Sequence, residues 1–287
     1  MTSTWSHEPH KILKFSPGGR VADIDTDSSP GFSGDRSDAE AVLTERSARY
    51  AELQEMLYAN GKSGRDSTRA NRSILLVLQG MDTAGKGGIV KHVVGAGNPM
   101  GIRYTGFGVP TAEERSHHYL WRIRKALPPG GHIGVFDRSH YEDVLVVRVH
   151  NLVPPDVWEL RYDEINAFER ELVDTGTTVV KVAMFVSLDE QRRRLAERLE
   201  RPDKYWKYNP GDVTERKLWP AYQEAYQAVL DRTSTEYAPW FVVPCDKKWY
   251  SRLAITELLI QALKDLEMSW PPADFDVEAE KLKLADS

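Results

Sequence analysis

The sequence of 287 residues contains a single cysteine, Cys245, which excludes an internal disulfide and suits a reducing cytosol. No apolar run approaches the roughly 20 residues that a membrane-spanning helix needs. The first residues, MTSTWSHEPHKILKF, lack the apolar core of a secretory signal peptide. These absences predict a cytoplasmic protein without a membrane segment.

An excess of positive charge is also absent. The net charge is −5 at pH 7, which argues against bulk nucleic-acid binding but still allows a local basic groove. Hydrophobic residues make up 41% of the chain and charged residues 28%, an ordinary balance for a globular protein with a large core. We therefore expect a folded protein that does not bind nucleic acid.

Apolar, β-branched runs alternate with helical patterns along the chain. The runs at residues 74–79, 132–137, 178–187 and 240–244 predict buried strands. Such alternation is typical of an α/β protein, a three-layer α/β/α fold in which helices cover both faces of a parallel sheet. Helices are predicted at residues 39–58, 112–126, 141–150, 155–174, 188–201, 213–233 and 248–264.

The two ends of the chain differ from this pattern. Residues 1–38 are polar and include SSPGFSGDRSD, so they predict a loosely ordered N-terminal arm. Asp38 is the expected N-cap of the first long helix. Residues 272–287 predict a C-terminal tail, which leaves residues 39–271 as the folded domain.

The glycine-rich stretch GMDTAGKGG, residues 80–88, follows the first predicted strand and precedes a predicted helix. It comes close to the phosphate-binding pattern G-x-x-x-x-G-K-[ST], but glycine stands where serine or threonine is usual. Glycines let backbone amides surround a phosphate, and the lysine adds a full positive charge. The alternative is a glycine-rich turn with an incidental lysine. The predicted phosphate-binding positions are Gly80, Ala84, Gly85, Lys86 and Gly87.

Asp82 lies inside this loop, where a free carboxylate would repel a polyanion. A cation between the two would remove the repulsion, and magnesium often takes one or two carboxylates together with phosphate oxygens. Asp82 is therefore a candidate metal ligand that replaces the hydroxyl missing at Gly87. The alternative is an aspartate that caps a local turn.

A second group of charged residues ends the strand at 132–137, in the sequence FDRSHYEDVLVVRVH. Asp137 lies at the carboxyl end of that strand, where parallel sheets bind ligands, and it has the position of a Walker B acid that completes magnesium coordination. Arg138 could clamp phosphate oxygens. Glu142 and Asp143 fall in the next helical turn, where acids also simply favour the helix dipole, and Arg148 follows.

The helix predicted at residues 188–201 is rich in arginine. Arg194 and Arg198 are four residues apart and share one helix face. Arginines on a lid that closes over a transferring phosphate stabilise its charge and exclude water. The alternative is a solvated helix with ion pairs. We predict a helical arginine lid at about residues 192–216.

Four segments of the chain resemble the polyphosphate kinase 2 family, over roughly residues 39–271. LQGMDTAGKGG resembles its phosphate loop, including the aspartate and the missing hydroxyl. FDRSHYEDVLVVRVH resembles its second motif, and RRRLAERLERPDKYWKYNPGDVTER its arginine lid. RTSTEYAPWFVVPCDKKWYSRLA resembles its last strand and helix.

The resemblance implies a thymidylate-kinase-like P-loop kinase fold and magnesium-dependent phosphate transfer between inorganic polyphosphate and nucleotides, with manganese as an alternative ion. It also implies a homo-oligomer, either a dimer or a tetramer. The segment YEDVLVVRVH is most similar to the subgroup that acts on both AMP and ADP. That subgroup often has asparagine where Asp137 stands, so the preference among AMP, ADP and guanine nucleotides stays open.

Family roles carry over residue by residue. Asp82 and Asp137 would hold the metal, and Lys86 and Arg138 would act with them in catalysis. Arg194 and Arg198 would bind polyphosphate. Glu142, Asp143 and Arg148 would lie on the nucleotide side.

Two other functions share many of these features. An ATP-dependent nucleoside or nucleotide kinase would have the same loop and arginine lid, and its phosphate donor would distinguish it. A non-catalytic protein would bind polyphosphate without turnover. No [NT]-K-x-D guanine-binding motif follows a strand, which argues against a GTPase switch.

Overall fold

The computed structural model describes residues 5–287. Its centre is a five-stranded parallel sheet with the strand order β2-β3-β1-β4-β5. Each parallel connection crosses over through helices, so the carboxyl ends of all strands meet at one edge of the sheet. The strands are β1 (Ser73–Gly80), β2 (Ile102–Gly106), β3 (Ile133–Asp137), β4 (Thr177–Phe185) and β5 (Trp240–Pro244).

Helices cover both faces of this sheet, which confirms the predicted three-layer α/β fold. α4 and α12 pack on one face, with α2 lying across α12, and α8 packs on the other face beside α11. The helices are α1 (Pro9–Ile12), α2 (Arg36–Ser63), α3 (Ser67–Ala70), α4 (Lys86–His92), α5 (Ala112–Arg115), α6 (Leu120–Ala126), α7 (Val146–Val149), α8 (Pro155–Asp174), α9 (Leu188–Glu200), α10 (Gly211–Glu215), α11 (Trp219–Thr233), α12 (Lys248–Lys264) and α13 (Val277–Ala285).

The central strands are apolar because neither of their faces meets water. Ile74 to Leu78 on β1 are fully buried, as are Ile133 and Val135 on β3. This burial explains why the four strands predicted from apolar runs are confirmed. Within residues 5–287, no helix is long and apolar enough to cross a bilayer.

The prediction missed β2, the strand at the edge of the sheet. Its sequence, IRYTG, is short, and most of it is exposed, so it lacks the continuous apolar run that identified the other strands. Its pairing with β3 places Gly106 beside Asp137.

Three predicted helices are interrupted. The helix predicted at 112–126 is two helices, and the Ser116 hydroxyl at the break donates to the Glu113 carbonyl oxygen at 2.7 Å. The helix predicted at 141–150 begins as a 3₁₀ turn, His140–Asp143, before α7. The helix predicted at 213–233 is divided before Trp219, because Pro220 cannot donate a backbone hydrogen bond and therefore starts α11.

The first long helix begins three residues earlier than predicted, and Asp38 is not its cap. Asp35 is the N-cap, and its carboxylate accepts from the amides of Ser37 and Asp38. In return, the Asp38 carboxylate accepts a hydrogen bond from the backbone amide of Asp35, and the two sets of bonds form a capping box.

The N-terminal segment is not the loosely ordered arm that its composition predicted. Leu13, Val21 and Phe32 are buried in the core. The amide of Phe15 donates to the Trp240 carbonyl oxygen at 2.8 Å, so the segment pairs with the free edge of β5. The prediction failed because these apolar residues are widely spaced; residues 1–4 lie outside the described part. The tail contains α13, and the predicted domain boundaries stay a prediction.

Candidate active site

The phosphate loop connects β1 to α4 at the carboxyl edge of the sheet. A side-chain carbon at Gly80 would lie 2.6 Å from the Met184 carbonyl oxygen on β4, so only glycine fits at the end of the strand. Gly85 precedes the helix with φ of 115°, and Thr83 also has a positive φ of 67°. The loop is thus held in the curled conformation that exposes backbone amides to an anion.

Lys86 opens α4 and folds back over this loop. Its Nζ donates to the Gly80 carbonyl oxygen at 2.6 Å, and the side chain is largely buried. The ammonium group therefore lies at the loop itself, within reach of a phosphate that binds there. The catalytic and phosphate-binding roles assigned to Lys86 stay a prediction.

Asp82 and Arg138 face each other across the ends of β1 and β3. Arg138 Nη2 donates to Asp82 Oδ1 at 2.9 Å. Burial opposes the charge of Arg138, but nearby Glu142 and Asp82 outweigh it and raise the pKa of the guanidinium. Arg138 also has a φ of 64°, a strained backbone conformation of the kind that clusters at functional sites. The structure thus brings Asp82 of the phosphate loop together with Arg138 and Glu142 of the second motif.

The three residues predicted on the nucleotide side contact different groups in the structure. Glu142 accepts from Gln79 Nε2 at 2.9 Å and lies close to Arg138. Asp143 pairs with Arg161 at 3.1 Å, and burial raises the pKa of its carboxyl although Arg161 opposes the shift.

Arg148 lies farther along the same segment and contacts different groups. Its guanidinium lies over the Trp158 ring, 4.9 Å from the ring centre, and Nη1 donates to the Tyr162 hydroxyl at 3.4 Å. Of the three, Glu142 is therefore the residue held at the Asp82–Arg138 pair, and the nucleotide contacts of all three stay a prediction.

The two lid arginines have different environments although they share a helix. Arg198 is partly exposed; its Nη1 donates to the Lys207 carbonyl oxygen at 2.8 Å and to Asp212 at 3.3 Å. Both of these acceptors belong to the lid segment. The predicted contact between Arg198 and polyphosphate stays a prediction.

Arg194 is buried beneath the phosphate loop. Its Nη1 donates to the carbonyl oxygens of Thr83 and Ala84, at 2.9 and 3.2 Å. Its Nη2 donates to those of Cys245 and Asp246, at 2.5 and 3.0 Å. As placed, Arg194 links the back of the phosphate loop to the loop after β5. The predicted contact between Arg194 and polyphosphate stays a prediction.

Sequence reasoning missed Asp212, which lies on α10 in the lid segment. Burial raises the pKa of its carboxyl, and the nearby Asp82 raises it further, so the two acids are close. No spacing rule links a residue to a partner 130 positions away. The one available signal was an acid inside the basic sequence KYWKYNPGDVTER.

The two acidic side chains predicted as metal ligands suit an ion whose remaining ligands come from the substrate and water. Among residues 5–287, no cluster of three or more His, Cys, Asp or Glu side chains could hold a metal ion. Of the predicted ligands, Asp82 follows β1, and Asp137 is the last residue of the neighbouring strand β3. Two carboxylates leave the remaining positions to phosphate oxygens and water, the mixed coordination that magnesium commonly takes.

The chain is similar to known proteins over most of its length. The sequence profile of the polyphosphate kinase 2 family matches residues 35–271. An AMP/ADP-polyphosphate phosphotransferase from Meiothermus ruber is 45% identical over 263 residues, which are 91% of this chain and 95% of that protein. An ADP-polyphosphate phosphotransferase from Rhodopseudomonas palustris is 37% identical over 246 residues, covering 80% and 81%. The crystal structure of polyphosphate kinase 2 from Arthrobacter aurescens matches with a TM-score of 0.94 and 49% identity, covering 99% of this chain and 98% of that one.

Proposed function

The chain belongs to the polyphosphate kinase 2 family, and from this premise we propose that it transfers phosphate between inorganic polyphosphate and the nucleotides AMP and ADP. The observation that carries the proposal is the meeting of the Lys86 loop with the Asp82–Arg138 pair at the carboxyl edge of the sheet. The names of the relatives from Meiothermus ruber and Rhodopseudomonas palustris support the substrates.

The reaction requires alignment and charge neutralisation rather than a covalent intermediate on the protein. An oxygen of the acceptor phosphate attacks the terminal phosphorus of polyphosphate. The bond from that phosphorus to its bridging oxygen breaks, and polyphosphate leaves one unit shorter. Loop amides and Lys86 hold the phosphate chain at the transfer point, while Arg138 and Arg198 neutralise its oxygens.

Asp82 and Asp137 are the residues that would hold the divalent ion. Magnesium, or manganese in its place, would neutralise phosphate charge there. If Asp82 held the ion, Arg138 would be free to donate to a phosphate oxygen instead of to the Asp82 carboxylate. The homo-oligomer, dimer or tetramer, is a further proposal that light scattering on the purified protein tests.

A donor-exchange experiment tests the proposed function. The purified protein is incubated with magnesium and polyphosphate, without ATP, and with AMP, ADP, GMP or GDP as the acceptor, and the products are separated by chromatography. We expect ADP from AMP and ATP from ADP. Product formation with ATP alone as donor would indicate a nucleotide kinase, and polyphosphate binding without any product would indicate a non-catalytic protein.

A further inference from the structure

A glutamine in the interior connects the lid to the phosphate loop. Gln191 lies on α9, about one turn before Arg194, and only 1% of it is exposed. Its Nε2 donates to the Asp82 carbonyl oxygen at 2.9 Å, and its Oε1 accepts from Arg216 Nη1 at 2.7 Å. Both ends of one buried amide are therefore bonded, each to a different segment of the chain. None of the assignments made above uses this side chain.

Side chains on α9 hold three consecutive carbonyl oxygens at the back of the phosphate loop, those of Asp82, Thr83 and Ala84. Gln191 is the donor to the first, and Arg194 is the donor to the other two. In a planar trans peptide, the carbonyl and the next amide point in opposite directions. The amides of Thr83 and Gly85 therefore point away from α9, and the amide between them donates within the loop. The two α9 side chains thus set the direction of the loop amides.

Arg216, at the end of the lid segment, holds Gln191 from the other side. Its Nη1 also donates to the Leu188 carbonyl oxygen in the first turn of α9, at 2.9 Å. Two hydrogen bonds therefore run in series from the lid to the peptide after Asp82. The Asp82 carboxylate in turn accepts from Arg138 at 2.9 Å. A shift of Arg216 would reach the phosphate loop and this ion pair through the one amide.

The preceding lid residue contacts different elements. Glu215 Oε2 accepts from the Tyr222 hydroxyl at 2.7 Å and lies 3.0 Å from His150 Nε2. Tyr222 lies on α11, and His150 follows α7. Two adjacent residues thus fasten the same end of the lid to two sides of the molecule. Of the two, Arg216 is the residue whose contact continues to the phosphate loop.

An amide is suited to this link because one of its ends donates and the other accepts. It therefore bonds to a carbonyl oxygen and to a guanidinium at the same time. Glutamate at position 191 would keep the acceptor for Arg216 but lose the donor to Asp82. Methionine has a similar length and would lose both bonds. The two substitutions separate the link to the loop from the link to the lid.

We propose that Gln191 is a positioning residue that couples the lid to the phosphate loop. With the lid end in place, Arg216 orients the Gln191 amide, and this amide holds the Asp82 peptide so that the loop amides face the phosphate chain. The proposal rests on the proposed function and adds the link by which lid and loop act together during transfer. Because Gln191 is buried, it acts through the loop and not by touching a substrate.

Kinetic constants with polyphosphate and ADP test this link. Gln191→Met should lower kcat about tenfold or more, because small errors of alignment slow transfer strongly, while the KM of ADP stays within about twofold. Arg216→Met should act in the same direction, and the variant with both changes should lose little more than Gln191→Met alone, because the two residues form one path. Arg216→Lys keeps a donor and should retain most of the kcat. Lys217→Met, which removes the same charge from the next, exposed residue, is the matched control.

Hydrogen exchange tests the same link without turnover. Adding polyphosphate in the absence of nucleotide should slow amide exchange in the lid end, residues 211–218, about fivefold in the wild type, a factor within the strength of one hydrogen bond. In Gln191→Glu this response should be lost while the amides of the phosphate loop are still protected. His150→Ala, which removes a different contact of the lid end, should keep the response.

The outcomes separate a positioning role from a purely structural one. A lower melting temperature with an unchanged kcat in Gln191→Met, additive losses in the double variant, or equal lid responses in wild type and Gln191→Glu would overturn the proposal. Arg216 is only half-buried, so Arg216→Met stays decisive if the change at Gln191 disturbs the fold. Failure of the proposed function gives a different result, because wild type would make no ATP from polyphosphate while the lid response still differed between wild type and Gln191→Glu.

Discussion

The residue after Lys86 is glycine, where phosphate loops usually carry a hydroxyl, and this absence has no steric cause. A side-chain carbon at Gly87 would meet no atom within 4 Å among residues 5–287, so the fold has room for serine. The loop instead carries a carboxylate at Asp82, paired with Arg138. We infer that Asp82 supplies the oxygen that Gly87 lacks.

A rescue experiment tests this exchange of ligands. Asp82→Asn should raise the magnesium concentration needed for half-maximal rate, because a neutral amide binds the ion more weakly than a carboxylate does. Adding Gly87→Ser to that variant should restore part of the magnesium affinity. Gly88→Ser is the matched control, since a side chain at Gly88 also meets no described atom within 4 Å. An unchanged magnesium dependence in Asp82→Asn would make Asp82 a turn residue.

Single residues also show what sequence reasoning can find. Lys86, Asp82 and Arg138 were identified because each belongs to a local pattern at a strand end. Asp212 was missed because its place near Asp82 depends on a segment distant in the sequence. A local pattern predicts which chemistry a segment carries, whereas tertiary packing decides which segments meet.

At the scale of elements, helix α9 also shows that a local sequence pattern cannot predict which segments meet in the fold. Helical spacing correctly places Arg194 and Arg198 on one face, but it cannot show what lies opposite. Arg194 meets the underside of the phosphate loop, whereas Arg198 meets the lid. Likewise β2 was missed because it is a short, exposed edge, while the buried strands were found from their apolar runs.

The two arginines should respond differently to substitution. Each cation that contacts a polyanion releases counterions, so Arg198→Ala should weaken polyphosphate binding and flatten the logarithmic salt slope by about 0.7–0.9. Arg194→Ala should lower the melting temperature and kcat, with a smaller change in that slope. Arg193→Ala, on the exposed side of the same helix, is the control. Equal salt slopes in wild type and Arg198→Ala would show that Arg198 does not contact the chain.

The N-terminal segment is connected to the phosphate loop through the loop after β5. Thr26 Oγ1 donates to Asp246 Oδ2 at 2.9 Å, and the other carboxylate oxygen accepts from the amide of Ser187 at the start of α9. The carbonyl oxygen of Asp246 accepts from Arg194 at 3.0 Å. The N-terminal segment therefore stabilises the position of Asp246, which in turn contacts Arg194 behind the phosphate loop.

Thr26→Val tests this contact, because it removes the hydroxyl that binds Asp246 and leaves a side chain of nearly the same shape. Loss of one hydrogen bond should cost about 1 kcal/mol of stability, measured by urea unfolding. It should also lower kcat, because the phosphate loop is held less firmly, while the salt dependence of polyphosphate binding stays unchanged. Thr44→Val, which removes an exposed hydroxyl bonded within α2, is the control. A stability loss with an unchanged kcat would limit the arm to a structural role.

At the scale of the whole molecule, a fully buried ion pair joins α8 to the centre of the sheet. Lys181 Nζ lies 2.5 Å from Glu169 Oε2 and donates to the Tyr141 hydroxyl at 3.0 Å. Burial opposes ionisation of Glu169, but Lys181 and His140 outweigh it and lower the pKa of the carboxyl. Tyr141 and His140 belong to the turn after β3, so this pair supports the segment that carries the site.

Substituting one partner of this ion pair should lower the free energy of unfolding more than replacing both partners with apolar residues. Glu169→Gln leaves a buried lysine unpaired and should destabilise the fold by about 3–5 kcal/mol. The double variant Glu169→Leu with Lys181→Met should lose less free energy of unfolding than the two single variants lose in sum. Because the folded pKa of Glu169 is lowered, the ionised carboxylate contributes stability above its ordinary pKa, and this contribution is lost as the pH falls through the folded value. Urea unfolding across this acidic range checks both statements, and additive single and double changes would contradict the first.

The transfer of labelled phosphate tests the central claim most directly. Polyphosphate carrying radiolabelled phosphorus is incubated with ADP, magnesium and the purified protein, and ATP is isolated. We expect label in the terminal phosphate of ATP, and about a 10²- to 10³-fold lower rate in Lys86→Ala with its fold intact by circular dichroism, because that variant loses a charged contact to the transferring group. No label in ATP from the wild-type protein, or an undiminished rate in Lys86→Ala, would contradict the account.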